Sequence, residues 1–236
     1  MRKILVSLTF IILLLAACSP QAQPTELPVD IENTPTRVSD SSDAAQNAAI
    51  SALSQNLGLD ASQIKVVSAE PVEWPDACLG ISQEGVACAQ VITPGYKIIL
   101  EANGKQVEYH TNEDGTVILP ATVALTWKRE GGIAGFCDSL ITYLSGEVQG
   151  GNCKSGDVVE EPLSELLSLD EIATMNEWIS TYGTITIDAS DPKGAADAMS
   201  VKLTMYGTGT DETMDQEAQQ MLLTFAQDLY QTLMSQ

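Results

Sequence analysis

The sequence predicts an α+β protein made of two small domains, each an antiparallel sheet with helices on one face. Three observations predict it. Apolar residues recur at helical spacing in three places and alternate with a period of two in many more. The tight-turn dipeptides Asn103-Gly104 and Asp114-Gly115 join neighbouring alternating runs, as antiparallel hairpins require. Pro120 separates one helix-then-strands pattern, residues 43–120, from a second set of strands and helices, residues 121–236.

The first residues read as an address. Arg2 and Lys3 precede an apolar stretch from Ile4 to Leu15, followed by Ala16, Ala17 and Cys18. A basic start, a short apolar run and small residues are the pattern of an export signal, too short for a membrane span. The tetrapeptide Leu15-Ala16-Ala17-Cys18 also resembles the bacterial lipoprotein signal. That resemblance implies that residues 1–17 are removed and that Cys18 carries lipid. It places the protein at the cell membrane, lipid-anchored on its extracytoplasmic face, with membrane contact through the Cys18 lipid only. Each buried acyl methylene would hold it by roughly 0.8 kcal/mol. A plain secretory signal with a chance cysteine is the other reading. Residues 18–42 are rich in Pro, Thr, Ser, Asp and Glu and poor in apolar side chains. Such a stretch buries too little surface to order itself, so it reads as a disordered tether.

In the first domain, Ala45, Ala48, Ala49, Ala52, Leu53 and Leu57 share a helix face that Gly58 ends. Ile64 to Val67 begins a strand continuing towards Trp74. A turn-rich segment with Cys78 and Cys88 follows. Tyr96–Leu100 and Val107–His110 are strands joined by Asn103-Gly104, and Val117–Leu119 is a third after Asp114-Gly115. In the second domain, Val123–Trp127 and Ser139–Tyr143 are strands separated by Gly131-Gly132-Ile133-Ala134-Gly135, and Ser145-Gly146 turns the chain back towards Cys153. A polar loop leads to Ser168, which with Glu171 forms a capping box. Ile172, Met175, Ile179 and Tyr182 mark the helix it opens. Ile185 and Ile187, then Met199 to Met205, alternate as strands, and Ala218 to Leu233 carries a final helix.

The charge excludes some partners. The chain carries −21, and loss of Arg2 and Lys3 with the signal would remove two positive charges and no acids, leaving −23. Phosphate backbones need lysine and arginine, so nucleic acid is not expected as a partner. With Cys18 set aside, four cysteines remain. In an exported chain they are expected to pair locally, Cys78 with Cys88 and Cys137 with Cys153. Zinc lacks its CxxC spacing here and finds only one histidine.

The same histidine argues against catalysis. His110 is the only candidate base, and it falls on a strand. No GxSxG, HExxH or P-loop pattern occurs. The segment Thr111 to Thr116 lacks the alternating ligands of a calcium loop and reads as a hairpin turn. No enzyme activity, no metal and no cofactor are expected.

Two resemblances remain. In the second domain, Gly131, Gly132, Ala134 and Gly135 match the GG-x-A-G turn of emfourin, a bacterial inhibitor of thermolysin-like (M4) metallopeptidases. The order of elements from Val123 to Leu233 is similar, and Asp197 stands where that family often has an Asp opening its last strand. Met199 and Val201 stand where aromatic residues are expected, and the family lacks the cysteine pair. In the first domain, Trp74–Gly80 and Pro94–Ile98 resemble a W-P-D-x-C-L-G and P-G-Y-x-I pattern of exported bacterial domains. Its helix-then-meander order is also similar to PepSY domains, found in propeptides of the same peptidases. The resemblances imply a non-enzymatic binding protein whose partner is a secreted metallopeptidase, inhibited through Gly131, Gly132, Ile133, Ala134, Gly135 and Phe136, with Asp191 to Asp197 as a second loop. The alternative is a cell-envelope interaction module without inhibitory activity. The turn itself has two readings. One is a structural corner with Ile133 and Phe136 in the core. The other is a protruding loop that offers both as apolar anchors.

Overall fold

The first helix, α1 (Val38–Leu57), lays Ala45, Ala49 and Leu53 against a four-stranded antiparallel sheet. The computed structural model describes residues 38–81, 87–152, 163–192 and 197–235. The signal segment, Cys18, most of the tether and Cys153 lie outside them. The sheet runs in sequence order: β1 (Lys65–Trp74), β2 (Thr93–Ala102), β3 (Lys105–Asn112) and β4 (Ile118–Pro120). Asn103 and Gly104 both take positive φ, 50° and 74°, as a two-residue hairpin loop of matching twist requires. Ile98, Leu100, Val107 and Tyr109 form the face beneath α1.

A six-stranded antiparallel sheet follows, in the order β8-β7-β6-β5-β10-β9. Its strands are β5 (Val123–Gly131), β6 (Phe136–Tyr143), β7 (Glu147–Asn152), β8 (Leu163–Leu166), β9 (Ile185–Asp188) and β10 (Met199–Met205). One face is covered by α2 (Leu169–Thr181) and α3 (Gln216–Met234). Trp127, Leu140, Leu203 and Met205 meet Met175, Ile179, Leu222 and Ala226 there. Each such aliphatic side chain, fully buried, stabilises by roughly 1.5–3 kcal/mol. The fold class is therefore α+β, with helices segregated to one face of each sheet.

Both helices of the second sheet start on side-chain caps. The Ser168 hydroxyl accepts from Glu171 N–H, and Glu171 reaches back to Ser168 N–H at 2.7 Å. Asp215 accepts from Ala218 N–H at 2.8 Å. Satisfying these orphan donors contributes about 1 kcal/mol per helix.

The two sheets belong to one compact unit, Arg37–Gln236. Leu57 at the end of α1 and Leu144 at the β6–β7 turn touch both cores. Leu169 packs over Gly58 and Ile172 over Gly146, so the end of α1 meets the start of α2. A polar node sits in the same seam. Tyr109, fully buried, lies among Asn56, Ser145 and Glu147. The Ser145 hydroxyl donates to the Glu147 carboxylate. Burial raises the Glu147 carboxyl above its ordinary range, and burial with the Glu147 charge pushes the Tyr109 hydroxyl well above the tyrosine range.

Three elements depart from the sequence expectation. Helix α1 starts at Val38, before Asp43, and the hydroxyls of Ser41 and Tyr96 bond at 3.0 Å, tying this early turn to β2. Leu163–Leu166, expected within a polar loop, is an edge strand paired to β7 through Glu147↔Leu166 and Gly150↔Leu163. Strand β10 opens at Met199. Asp197, expected to open it, stands before it with φ 61°, in the left-handed region.

Candidate functional site

Strands β5 and β6 form a hairpin whose last pair is Gly131↔Phe136, leaving Gly132 to Gly135 as the turn. At Gly131 only glycine fits: φ is 86°, and an added Cβ would lie 2.5 Å from the Ala198 carbonyl oxygen. That close approach lets Gly132 N–H donate to Ala198 at 3.1 Å, and Gly135 N–H closes the turn onto Gly132 at 2.9 Å. The tip is thus stapled to the segment preceding β10.

The two candidate anchors part company. Ile133 is 89% exposed, so the expectation that it serves as core in a structural corner does not hold. Ala134 and Gly135 are exposed with it, while Phe136 is half-buried. Behind Phe136 lies an assembly that the sequence reading did not single out. The Arg129 guanidinium stacks on the Phe136 ring, 3.9 Å from its centroid, and on Trp127 at 5.5 Å. Arg129 also donates from Nε and Nη2 to Asp138 Oδ2 at 2.9 and 2.5 Å. The other oxygen, Oδ1, accepts from Asn152 at 2.7 Å and from the Tyr230 hydroxyl at 2.8 Å. Asp138 is 2% exposed, and four donors on two oxygens satisfy it in full. Burial, then the Asp138 hydrogen bond and charge, push the Tyr230 hydroxyl up to about 12, so it stays a donor at neutral pH. One carboxylate therefore ties β5, β6, β7 and α3 together beneath the tip.

The second candidate loop reaches the same end of the sheet. Met199 pairs with Gly131 across β10 and β5. Asp191 exchanges two bonds with Met199: its N–H donates to the Met199 carbonyl at 2.8 Å, and its carboxylate accepts from Met199 N–H at 2.9 Å. Asp191 thereby closes its own loop. Asp197 is exposed, one residue from the carbonyl that holds Gly132. The structure thus brings residues 131–136 and the described ends of the 191–197 loop together. Cys137, opposite Glu130, is disulfide-bonded, and the Cys153 half of the expected bridge lies outside the described residues.

The first sheet has its own elaborated loop, the Trp74–Gly80 segment. Cys78 and Cys88 form a disulfide with S–S 2.07 Å. Asp76 accepts from the N–H groups of Cys78 and Gly80 at 3.0 and 3.1 Å. Asp76, Cys78 and Cys88 bring their ligand atoms within 4.8 Å of one another, but the bridge consumes both thiolates and the backbone occupies the carboxylate. Trp74 stacks on His110 at 4.1 Å, and both nitrogens of His110 are engaged, Nδ1 with the Leu79 carbonyl and Nε2 with Glu108, each at 2.8 Å. This histidine holds the loop to the sheet. Of the Thr111–Thr116 stretch, Thr111 and Asn112 end β3 and the rest is a turn, in which Asp114 accepts from Thr116 N–H at 3.0 Å and Asn112 accepts from Val117 N–H at 2.9 Å. The Thr116 hydroxyl, which donates to Asp114 at 2.7 Å, and then the Thr116 N–H hold the Asp114 carboxyl below its usual range.

Arg129 and Asp138 were readable in principle, since they face each other once the hairpin register is known. Tyr230 and Asn152 carried no local signal. No described helix is long and apolar enough to cross a membrane. Compared with known proteins, the chain matches no curated protein and no solved structure. A family model described as "Domain of unknown function (DUF8738)" matches residues 46–120, which covers most of α1 and the whole four-stranded sheet and stops where β4 ends.

Proposed function

We propose that this is an exported, lipid-anchored, non-enzymatic binding protein that presents the β5–β6 hairpin tip to a partner, and that the partner is a secreted thermolysin-like metallopeptidase, which it inhibits. One observation carries the reading: Ile133, a large apolar side chain, is 89% exposed at the end of a hairpin held by a partly buried ion pair, Arg129 with the buried Asp138. A rigid, exposed apolar anchor is what a binding hot spot needs, because little ordering entropy is lost on docking. The choice of a metallopeptidase is supported by the emfourin-like Gly131-Gly132-x-Ala134-Gly135 turn. Phe136 and the exposed Asp197 supply neighbouring surface for the rim that such interfaces require.

The test is titration of the protein against thermolysin and a panel of secreted metallopeptidases, following hydrolysis of a peptide substrate. Stoichiometric slowing at or below micromolar protein supports inhibition. If no peptidase is slowed at that concentration, inhibition is abandoned, and the cell-envelope interaction module is the reading that remains.

A further inference from the structure

Helix α3 carries two stripes. Ala218, Leu222, Ala226, Leu229 and Leu233 face the sheet. A second stripe, Glu217, Gln220, Met221, Thr224, Phe225 and Asp228, lines an open groove of about 580 Å³ whose other wall is Trp178 of α2. At 1.5 Å per residue the stripe runs for roughly 16 Å, about three helical turns. Its floor is aromatic: Trp178 and Phe225 meet edge to face, 5.3 Å between centroids at 84°. Met221 stands beside them, 50% exposed. A groove of aromatic rings and a pliant thioether accepts apolar side chains of varied shape.

The charged side chains that line the groove, Glu217 and Asp228, are both acidic. Asp170, Glu171 and Glu177 lie on α2, neither helix carries a lysine or arginine, and Lys105 of β3 reaches the end of α2, donating to Ser180 at 3.0 Å. The opposite face of the same sheet differs, with Lys128 and Lys202 paired across β5 and β10. Glu217 and Asp228, the only charged side chains among the groove's lining residues, close the two ends of its α3 wall.

We propose that the α2–α3 groove is a docking site for a cationic amphipathic segment of a partner protein. Leucine- or phenylalanine-like side chains would pack on Trp178, Met221 and Phe225, with lysine or arginine at either end meeting Glu217 and Asp228. Charge complementarity selects this occupant, because an acidic segment or an anionic lipid surface would be repelled. The surface is independent of the hairpin tip, so neither assignment rests on the other.

The test uses the full chain and two synthetic helical probes of equal length, one of leucine and lysine, the other of leucine and glutamate. Calorimetry gives affinity. Tryptophan emission gives location, because Trp74 and Trp127 are buried and Trp178 alone is half-exposed. The leucine–lysine probe should bind at micromolar concentration, shift the emission and weaken with salt. The leucine–glutamate probe should not bind. Joint Glu217→Lys and Asp228→Lys exchange should weaken the leucine–lysine probe at least tenfold, and so should Met221→Asp. Glu70→Lys with Glu113→Lys, on the first sheet, should leave it unchanged. Equal loss in the first-sheet variant would reduce the effect to diffuse charge and overturn the proposal. So would equal binding of both probes, or sedimentation showing the groove closed in a dimer that Met221→Asp dissociates. All exchanged side chains lie at the surface, and an unchanged thermal midpoint confirms that each variant is folded.

Discussion

Two loops of this protein carry the same kinds of residue and use them in opposite ways. The Trp74–Gly80 segment and the Gly131–Cys137 segment each combine glycine, cysteine and an apolar side chain beside an aromatic ring stacked on a nitrogen-bearing partner, Trp74 on His110 and Phe136 on Arg129. In the first, Leu79 turns inward at φ 55° and is fully buried, and His110 grips its carbonyl. In the second, Ile133 turns outward and is 89% exposed. A disulfide and a histidine fold the first loop down onto its sheet, whereas an ion pair props the second loop up. Composition alone does not separate a corner from a protruding tip. The difference lies in where the buried hydrogen-bonding group sits, within the loop or beneath it.

The largest expected effect is at the prop. Asp138→Ala leaves Arg129 without its carboxylate partner beside a buried void, so stability should fall by about 3–5 kcal/mol. Chemical denaturation would show this as a lower midpoint. An unchanged midpoint would mean the tip is not held from beneath.

Next comes the corner. Leu79→Ala removes a fully buried side chain and should cost about 2–5 kcal/mol, measured the same way. A loss below 1 kcal/mol would place Leu79 at the surface in solution and erase the contrast with Ile133.

A smaller effect is expected in the seam between the sheets. Burial raises the Glu147 carboxyl, so its native form favours the proton. A raised native value means that stability is complete below the unfolded carboxyl range and falls as pH rises through the native one. Glu147→Gln should therefore flatten the decline of the thermal midpoint between acidic and neutral pH. If wild type and variant show parallel profiles, Glu147 does not titrate in a buried setting.

Much of the scaffold was legible because local chemistry dictates it. Asn103-Gly104, Ser168 with Glu171, and the Gly58 stop each act within a few residues, and the structure has hairpin, cap and helix end at those places. Leu163–Leu166 was missed because it is an edge strand with pairing on one side, exposing Leu163 and Leu166 where alternation would have hidden one face. At the site, the glycines were visible and their consequence was not. Whether Ile133 faces in or out depends on Ala198, Asn152 and Tyr230, which reach the hairpin from distant parts of the chain. The second stripe on α3 was hidden for the same reason, since Met221 looks like core until the sheet is seen to contact the other side of the helix.

The most direct test of the account is Ile133→Asp, read for thermal midpoint and for peptidase inhibition on the same preparation. A side chain at an exposed tip should change stability by no more than about 0.5 kcal/mol. Placing a charge at an apolar anchor should weaken inhibition at least tenfold, roughly 1.4 kcal/mol. A held midpoint with weakened inhibition is the predicted result. A fallen midpoint, or inhibition that survives the charge, would contradict the claim that this hairpin is built to hold Ile133 out to a partner.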